Sequence, residues 1–133
     1  ASGKSQLDLL VQIYDGTLTA LQGAREAYSA HSLDAGYGQM ERARRFIMHL
    51  YTTLDFEQGG EVADNLSRLY VYALKNIDLI EATKNPNVID DTIRVVRNIR
   101  DGWAELKGRM TAPNAAPELR EANAAGKAFE TSA

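Results

Sequence analysis

The apolar residues of this chain fall into four runs stepped by three and four, and proline occurs only at Pro86, Pro113 and Pro117. Such steps hold side chains on one face of an α-helix, whereas a strand would alternate every second residue. The first run is Leu7, Leu10, Tyr14, Thr17, Leu21, Ala24 and Tyr28. Ser5, with Asp8 three residues on, reads as its start, a weaker relative of the capping box that satisfies orphan amides. Gly16 lies inside this helix at a cost of roughly 1 kcal/mol relative to alanine, so a close approach by another helix is expected there. The second run is Met40, Ala43, Ile47, Leu50 and Leu54, with Glu41, Arg42, Arg44 and Arg45 facing outward. It is expected to stop at Asp55-Phe56-Glu57-Gln58-Gly59-Gly60, where the paired glycines permit the positive backbone angles of a tight turn. The third run is Ala63, Leu66, Tyr70, Ala73, Ile77 and Ile80, broken by Asn85-Pro86-Asn87. The fourth is Ile89, Thr92, Val96, Ile99, Trp103, Leu106 and Met110, with Arg94, Arg97, Arg100 and Asp101 outside it.

Each helix should run about 20 to 25 residues, or roughly 30 to 37 Å. Links of two to about eight residues force sequential neighbours antiparallel. The sequence therefore predicts an all-α fold, an antiparallel up-down-up-down four-helix bundle over residues 1–110. Residues 111–133 are alanine-rich. There Leu119, Ala122, Gly126 and Phe129 share one helical face, which fits a short docked helix and a mobile tail alike.

Composition removes most kinds of chemistry. The 133 residues suit one domain that buries about two-thirds of its unfolded surface. The absence of cysteine excludes a disulfide scaffold, Cys-ligated zinc or iron–sulfur sites and a thiol nucleophile. With 15 Lys+Arg against 18 Asp+Glu, the chain has no basic footprint for nucleic acid. No apolar run is long enough to span a membrane and no secretion leader is visible, so the expected compartment is the cytoplasm. Gly3-Lys4-Ser5 lacks the earlier glycine and the strand of a phosphate-binding loop. Tyr28 and Phe46 stand three residues before His31 and His49, where a di-metal bundle needs glutamate. His49, between Met48 and Leu50, lacks the neighbours that would hold a phosphoryl group. Ser29, Ser32 and Ser67 show no paired base. Asp55, Glu57, Glu61 and Asp64 form an acidic cluster that suits a helix start better than acid catalysis. No catalysis, metal or cofactor is expected.

The third helix carries more apolar surface than one core needs. A second row, Val62, Leu69, Tyr72 and Leu79, runs beside its core stripe, and Val71 and Leu74 add to it. Ile13 and Leu18 on the first helix, and Phe46 and Tyr51 on the second, are likewise out of stripe. Either neighbouring helices and the tail cover these groups, or they line a groove that accepts a partner helix.

The segment from Leu54 to Tyr72, with Leu54-Asp55, Gly59-Gly60, Asn65-Leu66 and Leu69-Tyr70-Val71-Tyr72, resembles the helix-two to helix-three junction of the flagellin-specific export chaperones, the FliS family. Ile13-Tyr14-Asp15-Gly16 is similar to the family's Leu-Tyr-Asp-Gly in helix one, and Ile99-Arg100-Asp101-Gly102-Trp103 to its Leu-Arg-x-x-Trp in helix four. The resemblance covers residues 5–107. It implies a cytoplasmic helical chaperone that binds the disordered C-terminal segment of flagellin. It also implies that the chaperone blocks premature polymerisation and keeps the subunit ready for the flagellar type III export apparatus, without catalysis or cofactor.

The sequence departs from the family pattern at several points. Gln6 stands where the family usually has proline after the cap serine, and Val71 where an acidic residue is common. The family also carries a segment before helix one that covers the client groove, where this chain has only Ala1 to Lys4. Either such a segment has been trimmed from this sequence or this member lacks it; the tail after residue 110 is longer than the family needs, and it is expected to supply a substitute cover through Leu119 and Phe129. Tyr14, Asp15 and Gly16 are explained equally by the motif and by tight helix packing. Asp55, Gly59 and Gly60 read as turn-formers, and Asn65 as a hydrogen-bonding group for the turn or the client. Leu66 and Tyr70, with Trp103, belong to core stripes. Val62, Leu69 and Tyr72 are the expected client contacts, followed by Ile13, Phe46 and Tyr51. Beyond flagellin, the export apparatus or a regulatory co-partner is a further expected partner. A bundle holding a transcription or translation regulator is the rival reading.

Overall fold

A computed structural model describes residues 5–109. Gly3, Lys4 and the segment 110–133, with the expected tail contacts of Leu119 and Phe129, lie outside the described residues. The chain forms α1 (Gln6–Ser29), α2 (Leu33–Thr52), α3 (Phe56–Thr83) and α4 (Pro86–Gly108). Each helix packs on its neighbours in sequence, and α1 also packs on α4, which closes the square of an up-down-up-down bundle.

Local chemistry sets where the helices begin. Ser5 Oγ accepts from the Asp8 amide and Asp8 Oδ2 accepts from the Ser5 amide, both at 3.0 Å, so the capping box is fully reciprocal. Asn85 Oδ1 accepts from the Asn87 amide at 2.8 Å and Pro86 takes the first helical position, where its missing N–H costs nothing. α2 begins seven residues before Met40, because Gly36 lets the Tyr28 ring lie directly on its backbone. The junction of α2 and α3 corrects the sequence reading. The turn is Thr53 to Asp55, and Gly59 and Gly60 lie inside α3. Asp55 Oδ1 caps the Gln58 amide at 3.0 Å and its carbonyl accepts from Gly59 at 2.8 Å, so the helix has started before the glycines arrive. Only Gly60, at φ 53 and ψ −126, uses a glycine conformation, and it kinks α3 rather than ending α2.

The four core stripes meet in one interior, where Leu10, Leu21, Met40, Ile47, Leu50, Ile77 and Leu106 are fully enclosed. Cross-helix ion pairs record the antiparallel register of α1 and α4. Asp8 meets Lys107, Asp15 meets Arg100 at 2.8 Å, and Arg25 meets Asp90 at 2.7 Å, one number rising as the other falls. Exposed pairs contribute about 0 to 1 kcal/mol each, so they mark register more than they supply stability. The close approach expected at Gly16 is present, since a methyl there would stand 2.9 Å from the Phe46 ring of α2. Leu18, read as surplus, is buried and belongs to the core.

Candidate functional site

The three resemblance segments converge inside the bundle. Trp103 Nε1–H donates to the Tyr14 hydroxyl at 3.1 Å, and the Tyr14 and Tyr70 hydroxyls hydrogen-bond each other. All three side chains are at most 1% exposed. Burial pushes the Tyr14 phenol far above its ordinary pKa, against the opposing pull of its bonds to Tyr70 and Trp103. It therefore stays neutral, tying α1, α3 and α4 together. Asp15, beside Tyr14, is held by Arg100, beside the Asp101-Gly102-Trp103 stretch. Gly16 receives Phe46, whose ring also lies 5.6 Å from the Arg42 guanidinium. Much of the motif thus acts as a clamp on the fold.

The open feature beside this clamp is a groove between α3 and α4 of about 340 Å³. Val62, Leu66 and Leu69 form its α3 wall, and Ile99 and Trp103 its α4 wall. Among the described residues its polar lining is Asn65 and Asn98, and none that lines it is charged. A Cβ at Gly102 would meet nothing within 4 Å, so the backbone there opens directly onto the groove. Leu69 is 38% exposed and Val62 half-buried, whereas Leu66 is buried at the foot of the α3 wall. Asn65 accepts from the Arg68 guanidinium at the rim.

The expected contact residues do not all gather here. Val62 and Leu69 line the groove, and the exposed Tyr72 sits one turn further along α3. Ile13 on α1 and Phe46 on α2 are half-buried away from it, and Tyr51 packs on the core from α2. Asn98 and Gly102 were not among the expected contacts. A glycine in the middle of a well-formed helix was the one available sign of them.

Elsewhere the groups examined for chemistry have structural positions. Asp55 caps α3, while Glu57, Glu61 and Asp64 are exposed on it. No group of three or more His, Asp or Glu suited to a metal occurs among the described residues. None of their helices is long and apolar enough to cross a membrane.

Fold and site together define a class: an antiparallel four-helix bundle with an uncharged apolar groove on one seam and a hydrogen-bonded aromatic clamp behind it. Within that class the chain belongs to the FliS family, since residues 1–110 match the family described as flagellar protein FliS. Its relatives include the flagellar secretion chaperone FliS of Campylobacter jejuni, 28% identical over 81% of this chain and 84% of the relative. The namesake from Salmonella typhimurium is 28% identical over 77% of each chain. That of Vibrio cholerae is 24% identical over 79% of this chain and 77% of the relative. The role those names describe is a chaperone's, which is not an enzymatic one.

Proposed function

We propose that this protein is a flagellar secretion chaperone that holds the C-terminal segment of flagellin in the bacterial cytosol. By covering that segment it delays polymerisation and keeps the subunit fit for type III export. The observation that supports this most is the α3–α4 groove: apolar walls, no charge, and an open floor at Gly102. An amphipathic client helix gains by laying its apolar face there. A client disordered beforehand gives back about 2 to 5 kcal/mol in ordering, which suits a partner that must later be released.

Calorimetric titration with a flagellin C-terminal peptide tests the reading. Micromolar or tighter binding with a negative heat-capacity change is expected. Gly102→Leu places a side chain in the groove and should weaken binding at least about tenfold, or roughly 1.4 kcal/mol, without lowering the melting temperature. Leu69→Asp should do the same, because Leu69 is exposed. If no flagellin C-terminal segment binds, the reading fails and the regulatory adaptor takes its place.

A further inference from the structure

A second cavity, of about 410 Å³, opens at the other end of the α3–α4 seam, between the α1–α2 turn and the α3–α4 turn. Its floor is apolar, formed by Tyr28, Pro86 and Ile89, with Leu33 56% exposed at the mouth. Arg25, His31 and Lys84 line it and no Asp or Glu among the described residues does, in a chain whose net charge is −3. Arg25 is already held by Asp90, through Nε at 2.7 Å and Nη2 at 3.0 Å. The Arg25 charge is thus met, whereas the Lys84 ammonium has no carboxylate partner among the described residues. Its left-handed backbone, φ 54, is pinned by an amide bond to the Ile80 carbonyl at 2.7 Å. Its ammonium donates once, to the Glu81 carbonyl at 2.9 Å, and lies 6.0 Å from the Tyr28 ring centroid. Two N–H donors remain on an ammonium fixed above apolar surface.

The groove lies toward the start of α3 and the cavity at its end. Along α3, Leu69, Tyr72 and Leu79 are exposed three and seven residues apart on one side of the helix, and Lys84 caps its end, fifteen residues or roughly 22 Å from Leu69. A chain lying in the groove and running along that row reaches the end of the helix that Lys84 caps. We propose that the cavity receives the free C-terminal carboxylate of the bound client, with the Lys84 ammonium as its partner and the last apolar side chain covering Tyr28, Leu33 and Ile89. This rests on the client reading above and adds which end of the client is read. Ammonium to carboxylate is the charge complementarity the lining offers, and terminal-carboxylate capture is a recurring mode of peptide recognition.

The test compares a flagellin C-terminal peptide as free acid and as C-terminal amide, titrated into the full chain. The amide should bind about tenfold more weakly, the scale of one charge-assisted hydrogen bond. Lys84→Gln should weaken the free acid to the level of the amide and leave the amide unchanged, whereas Lys84→Arg should keep the preference. Equal binding of acid and amide to the unaltered chain overturns the carboxylate site and leaves the client reading standing. Equal weakening of both peptides by Lys84→Gln overturns it too. If neither peptide binds, the client reading falls and takes this site with it.

Discussion

A single phenol oxygen joins three of the four helices. Tyr14 Oη accepts the Trp103 indole N–H and bonds the Tyr70 hydroxyl in a dry interior. Tyr14→Phe keeps the ring volume but leaves the Trp103 N–H without that acceptor, so a loss of about 1 to 3 kcal/mol is expected in urea unfolding. A change below about 0.5 kcal/mol would mean that ring packing alone holds the clamp. The raised Tyr14 pKa adds a pH signature. The folded state favours the neutral phenol, so this stability is fully present below the ordinary phenol value and lost as pH rises through the raised one. The variant should therefore lose stability less steeply than the parent above about pH 10. Tyr14, Tyr70 and Trp103 were legible as core positions from their spacing. Their mutual bonds were not, because 56 and 89 residues of chain separate the partners and only the fold brings them together.

At the scale of elements, periodicity revealed all four helices, while their ends depended on contacts that periodicity does not carry. The start of α2 follows from Tyr28 against Gly36, and the start of α3 from the Asp55 cap. Gly60 and Gly102 look alike in sequence and should respond to alanine with opposite signs. At Gly60 a methyl meets no atom within 4 Å, so the cost is backbone strain alone, about 1 to 3 kcal/mol at φ 53 and ψ −126. At Gly102, helical and equally open, alanine should stabilise by up to about 1 kcal/mol through helix propensity. Thermal melts of the two variants separate these effects. A destabilising Gly102→Ala would mean that the open floor of the groove is occupied by something the fold requires.

Over the whole molecule, the surplus of apolar surface was readable by counting: one interior could not hold every apolar face of α3. Which seam would stay open was not readable, since that depends on how far α3 and α4 stand apart. Charge is likewise arranged differently on the two sides of the bundle. Across the α1–α4 seam the pairs favour ionised acids: a hydrogen bond from Lys107 lowers Asp8 to about 2, and Arg25 lowers Asp90. Their contribution is present above the ordinary carboxylate range and lost as pH falls through the lowered values.

The α2–α3 seam does the reverse. Arg44 meets Glu41, Asp78 and Glu81 at once, so one cation faces three acids. Desolvation, then the neighbouring Glu41 carboxyl, pushes the Glu81 pKa above 4.5 against the attraction of Arg44, and its Oε2 is buried without a partner among the described residues. For a carboxyl raised in the folded state, the favourable contribution is full below pH 4.5 and lost as pH rises through the raised value. At neutral pH, Glu81 thus carries a partly buried charge that the fold disfavours. Glu81→Gln removes that charge, lets its oxygen still accept from Arg44, and gives Glu41 an amide donor. The variant should melt higher than the parent at pH 7, and the difference should shrink as pH falls through the raised value, where the folded parent takes up its proton. A variant that melts lower at pH 7 would show that the Arg44 attraction outweighs desolvation, and that the ion pair holds α2 to α3.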